Sequence, residues 1–321
     1  MIIIIACAAI LFILFFILLN QAYKRTNDYN NYCIDIMTYR KGIPENLKFV
    51  NLGSTYSKYA FGACKEMNID AFDLSLQAQS LEMDKAILQQ YIERMDTGCI
   101  VVVAVAAACL LLDREDRSNP LYCQILKRKN NPQFKWRDKV ESEFPLLVHP
   151  KRAKRILTGV EAFESIYDSV PACMTLEESN KELESLVNVW RSLFHLKDLR
   201  SIDFSEHNNE MIRKNQQCLC DILDMCKNHR LTPVVVVPPF SERLNCYFSE
   251  EFKDIVINHT ICESVKKRNV TVLNYQDDAE FQNSPELFVD GGFRLNKRGS
   301  MIFLRKLMKD LQKSGIYFCN D

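Results

Sequence analysis

The chain opens on eighteen uncharged, almost wholly apolar positions, IIIIACAAILFILFFILL over residues 2–19. A bilayer core of about 30 Å needs roughly 20 helical residues, so this run is just long enough to cross one. Secretory apolar regions are shorter, roughly 7–15 residues, and the LNQAYKR that follows carries no small-x-small cleavage site. An all-round apolar helix at a chain end rarely finds enough protein to cover it. The pattern therefore predicts an uncleaved transmembrane anchor over residues 1–22, and the polar residues 23–46 read as a stalk.

Beyond residue 46 short apolar runs alternate with helical patterns. LKFVNLG (47–53), IDAFDLSL (69–76), CIVVVAVAAACLLL (99–112), PVVVVPP (233–239) and NVTVLNY (269–275) read as strands buried on both faces. Apolar residues recur at helical spacing over roughly 55–67, 79–96, 207–230, 249–268 and 296–314. Strand and helix in alternation predict an α/β domain over 47–321, with a doubly wound, five-stranded parallel sheet and helices on both faces. Residues 113–206 break the rhythm. They are charged, punctuated by proline and helical in pieces, which predicts an insertion overhanging the ligand crevice at the carboxyl edge of the sheet.

Composition changes this picture little. A formal net charge of zero gives no electrostatic reason to expect a nucleic-acid partner. Lys24 and Arg25 follow the apolar run and no Lys or Arg precedes it, so the positive-inside rule alone would put the large domain in the cytoplasm. Thirteen cysteines without framework-like spacing do not argue for an oxidising compartment. Cys218, Cys220 and Cys226 fall on a predicted helix without partners at ligand spacing, and read as helix packing, so no metal and no cofactor is expected.

With only nine glycines in the chain, the Gly53-Ser54 pair at the end of the first strand stands out. Glycine lets the backbone turn tightly, and serine there can cap the next helix. The same position also suits a nucleophile, because backbone N–H groups at a strand-to-helix turn can hold an oxyanion. Asn51 and Thr55 flank the pair, where they would orient it or satisfy the turn. Near the other end, Asp290 opens an Asp-Gly-Gly turn, and Asn296 is placed to cap the last helix.

The blocks NLGSTYSKYAF, FDLSLQAQSLEMDKAILQQY and DGGFRLNKRGS, in this order on strand ends, resemble the SGNH/GDSL hydrolase superfamily. The similarity is to its membrane-anchored branch, with the D-alanyl-lipoteichoic acid biosynthesis and polysaccharide O-acetylation proteins. The resemblance spans most of 47–314 and is thin in the insertion. It implies a flavodoxin-like, three-layer fold with Ser54 as nucleophile. The Ser54 N–H and Gln79, from the Gln79-Ser80 pair, would form the oxyanion site, and Asp290 would partner a histidine. It further implies a single-pass membrane protein with its domain outside, acting as an esterase or O-acyltransferase on a cell-surface polysaccharide or related polymer. A membrane-bound acyltransferase would be its partner.

Two departures qualify the resemblance. AVAAACLLLDRED stands where a Gly-x-Asn-Asp block would follow the central strand. The histidine expected before Leu295-Asn296 is Arg294, which stays protonated and cannot act as the general base. Arg294 would instead bind an anionic substrate group, with Asn51 beside the nucleophile. None of the five histidines (149, 195, 207, 229 and 259) occupies the motif position, although His149 and His195 lie in the insertion over the crevice. The alternatives are therefore a non-catalytic subunit of the same fold that binds or assembles surface-polysaccharide machinery, and a scaffold facing the cytoplasm.

Overall fold

The computed structural model describes residues 1–113, 120–170, 175–289 and 292–317. Its centre is a five-stranded, all-parallel sheet of β1 (Leu47–Leu52), β2 (Phe72–Asp73), β3 (Met95–Ala104), β4 (Thr232–Val237) and β5 (Thr271–Asn274), in the order β2-β1-β3-β4-β5. The chain leaves β1 in one direction to β2 and then returns past it to β3. The carboxyl ends of β1 and β3 therefore flank the topological switch point, where open α/β sheets bind ligands.

Side-chain alternation along the strands builds two cores. Val50, Leu52, Val101, Val103, Val235 and Val237 face one side, against α3 (Leu81–Tyr91) and α8 (Glu206–Asn228). Phe49, Ile100, Val102, Val234 and Val236 face the other, against α9 (Lys297–Lys313) and the end of α2 (Thr55–Ala60). Central strands covered on both faces explain the unbroken valine runs in the sequence.

Several boundaries differ from expectation. The apolar run 99–112 divides: β3 ends at Ala104, and Ala107–Leu111 turns into α4. Burial on all sides gives a strand and a buried helix the same apolar pattern, so periodicity could not separate them. The strand expected over 69–76 shortens to an edge of two residues. Residues 23–46 are not a free stalk, for Tyr29, Cys33, Ile36 and Tyr39 are buried in the main core. The first helix, α1 (Ile2–Lys24), is long and apolar enough to cross a membrane.

The described part of the insertion contributes short helices, among them α5 (Trp136–Glu143) and α6 (Pro145–Val148), and one long helix, α7 (Leu176–Leu193). Thr175 caps α7 in a reciprocal box with Glu178. Leu183, Val187 and Trp190 turn its apolar stripe onto the core.

Candidate functional site

Ser54 leaves the carboxyl end of β1 as the N-cap of α2, yet its side chain makes no cap bond. The residue is 5 % exposed and borders a cavity of about 170 Å³. Thr55, Ala78, Ala108 and Leu112 line the cavity from the sheet side. Trp190, Leu193 and Phe194 from the insertion, with Phe293 from the C-terminal loop, line it as well. The insertion therefore overhangs the crevice as its position in the chain predicts. Its contribution to the wall is apolar.

The turn that places Ser54 is held from below. Gly53 has φ +131, and Ala104 of β3 lies against it, so a side chain has no room there. Its N–H donates to Asp84 Oδ1 at 2.8 Å. The same oxygen accepts from Gln79 Nε2 at 2.5 Å. Asp84 stands on the buried stripe of α3 between Leu81 and Leu88, 1 % exposed, and pins the loops after β1 and β2 to each other. Thr55 Oγ1 ties the same two loops by accepting from the Ala78 N–H at 3.1 Å. An acidic residue on an apolar helical stripe is the signal in the sequence for such a buried tie.

Gln79 is fully buried, and its amide nitrogen also donates to the Leu74 carbonyl at 3.3 Å. Both amide hydrogens thus have partners, one on α3 and one in the loop, and Gln79 is not among the residues lining the cavity. The geometry gives it a role in fixing the loop. Asn51 is likewise buried inside the sheet edge, donating to Asp73 Oδ1 at 2.7 Å and to Ser57 Oγ at 3.2 Å. It borders a buried ionic group that sequence reasoning did not find. Lys58 Nζ lies 2.7 Å from Asp73 Oδ2 and donates to the carbonyls of Asp35 and Ser75. The Asp35 carboxyl is pushed above its ordinary range by burial, a rise that Lys58 and the Gln77 amide partly offset.

Arg294 lies beyond the pocket wall. It pairs with Glu182 of α7 at 2.7 Å and sits over the Tyr59 ring at 5.6 Å. It latches the C-terminal loop to the insertion, while its neighbour Phe293 reaches the pocket. Asp290 lies outside the described residues. Of the proposed site, then, Ser54 alone is both described and placed on the cavity.

Four of the five histidines are engaged elsewhere. His149 bonds Glu141 at 2.9 Å, and His229 contacts the Met225 carbonyl at 2.9 Å. His207 lies 3.9 Å from Asp113 and stacks edge-on against His195. Among the described residues, no histidine is hydrogen-bonded to Ser54, and no cluster of His, Cys, Asp or Glu is arranged to hold a metal ion. No protein-family model matches the chain, and no curated protein matches it.

Proposed function

We propose that this is a membrane-anchored, SGNH-like protein that holds a short acyl group of a cell-surface polysaccharide or related polymer without turning it over. One observation carries the reading: Ser54 borders an apolar cavity at the sheet's switch point, and no described base is bonded to its hydroxyl. A dry cavity of about 150 Å³ accommodates a benzene-sized guest. The volume here therefore suits an acetyl or other short acyl group, and Trp190, Phe194 and Phe293 offer it apolar contact. Such a subunit would present acylated polymer to a membrane-bound acyltransferase.

The anchor in this reading is α1, and the domain would lie outside the cell, as the resemblance implies and against the rule of flanking charge. Cys246 and Cys262 are exposed thiols, so a membrane-impermeant maleimide should label them in intact cells. Protection of both until lysis would put the domain in the cytoplasm.

A second reading is acyl transfer through Ser54, favoured by the position of this residue on the cavity. A general base typically supplies ~10²–10⁴-fold, so a serine without one should turn over slowly. Hydrolysis of p-nitrophenyl acetate by the full-length protein in micelles separates the readings, with Ser54→Ala and Arg294→His compared. The binding reading expects wild type to match Ser54→Ala. Brisk wild-type turnover that is lost in Ser54→Ala would establish the enzyme instead. Arg294→His should give at most a modest gain, because Asp290 lies four residues away rather than the three of the motif.

A further inference from the structure

The insertion carries a second surface, away from the pocket. Helices α5 and α6 and the Phe144 junction between them present Trp136, Val140, Phe144 and Leu147 at 63, 37, 37 and 59 % exposure. Trp136 and Val140 lie one turn apart on α5, Phe144 caps its end, and Leu147 stands on α6, so the four follow one another along this part of the chain. Leu157, a little further along the chain, is 92 % exposed.

This face is fixed to the apolar helix α1. Phe16 stacks on Phe144 with ring centroids 6.5 Å apart. One turn further on, Asn20 is fully buried; it donates to the Glu143 carbonyl at 2.9 Å and accepts from the Leu146 N–H at 3.3 Å. A buried amide that bonds two backbone groups sets both the direction and the height at which α1 leaves the domain. Below that point, Arg152 donates to the Tyr23 hydroxyl at 3.2 Å.

The height decides what the face meets. Residues 1–15, Met1 and the first part of α1, are exposed, and burial begins at Phe16. At about 1.5 Å per residue these fifteen residues give roughly 22 Å, short of the ~30 Å hydrocarbon core. A helix that crosses must therefore draw part of its span from residues 16–20, the stretch bound to α5 and α6. The Trp136–Leu147 face is carried to the polar–apolar boundary with it.

Charge points the same way. Residues 120–158 hold ten Lys and Arg against three Asp and Glu, within a chain that is neutral overall. Lys135, Arg137, Lys151 and Lys154 are exposed. The Arg128 guanidinium lies 4.8 Å from the Trp136 ring centroid. Tryptophan is favoured at the headgroup level of bilayers, and basic side chains there meet anionic lipid.

We propose that α5 and α6 form a docking platform that seats the domain on the anionic lipid leaflet from which α1 emerges. The proposal rests on the reading of α1 as an anchor. Trp136, Val140, Phe144 and Leu147 enter the boundary between headgroups and acyl chains, and the surrounding Lys and Arg contact lipid phosphates. The domain is then held close to the bilayer in one orientation, where a stalk would let it roam.

The test uses the full-length chain in vesicles of phosphatidylcholine with or without phosphatidylglycerol. Lipids brominated near the headgroup quench nearby tryptophan. The chain has two tryptophans, and Trp190 is buried, so the signal that depends on brominated lipid belongs to Trp136. The platform predicts strong quenching that is lost in Trp136→Phe. It also predicts weaker quenching in a Lys135→Glu/Lys151→Glu/Lys154→Glu variant when phosphatidylglycerol is present. Leu147→Glu, with Trp136 intact, should lower the quenching as well. A chain that floats with the vesicles while Trp136 stays unquenched overturns the platform and leaves the anchor standing. A chain that does not float overturns the anchor and the platform with it.

Discussion

Gly53→Ala tests how the pocket is built. A Cβ added at Gly53 would lie 2.9 Å from Ser57 Cβ, 3.0 Å from Ala104 Cβ and 3.1 Å from the Ala104 carbonyl. Favourable carbon–carbon contact begins at about 3.5 Å, and none of these atoms is the end of a flexible side chain. Overpacking of this kind costs ~1–3 kcal/mol. The backbone at φ +131 adds strain for any residue with a side chain, ~1–3 kcal/mol more. The expected loss is therefore ~2–6 kcal/mol. Gly98→Ala provides the control: its φ is +85, and nothing lies within 4 Å of its added Cβ. It should lose only the strain, ~1–3 kcal/mol. Urea unfolding of the full-length chain in micelles, followed by circular dichroism, measures both. Equal losses would mean that β1 and β3 are not as close at Gly53 as described, and the derivation of the Ser54 position would fall with them.

Two further predictions concern buried carboxylates. Asp84→Ala leaves the Gly53 N–H and the Gln79 amide without their shared acceptor, at ~1–3 kcal/mol for each buried donor. Asp84→Asn keeps an oxygen in place for both and should lose less than half as much in the same unfolding assay. For Asp35, burial raises the folded-state value above the ordinary 3.8, so the folded protein holds this proton more tightly than the unfolded chain does. The protonated carboxyl's contribution is then fully present below 3.8 and is lost as pH rises through the raised folded value. Asp35→Asn should therefore be more stable than wild type at neutral pH, with the gain shrinking as pH falls. A gain independent of pH would refute the linkage.

The layout of the domain was legible because burial writes itself into sequence: valine runs give central strands, and Gly-Ser after one of them gives a strand-end turn. The strand/helix split inside 99–112 was not legible, since both halves are buried all round. Nor was the packing of 23–46, whose tyrosines combine polar tips with apolar rings and read as polar until their burial is known. At the site, the place of Ser54 could be read from chain order alone. The partners of Gln79, Asn51 and Arg294 could not, because each is taken up by a residue distant in sequence or on another element: Asp84, Asp73 and Glu182. A motif shows which residues stand at a strand end, but it does not show which way their amides and guanidinium point.

The central claim is that the cavity beside Ser54 holds a short acyl group intact. In a Trp136→Phe background Trp190 is the remaining tryptophan, and it lines that cavity. Its fluorescence can be titrated with a short-chain acyl ester against the full-length protein, with Ala108→Leu, on the same cavity, as the filled control. The account predicts a saturable change in Trp190 emission that is absent in Ala108→Leu, with the ester recovered unhydrolysed. No saturable change, or release of the free acid at a rate that depends on Ser54, would contradict it.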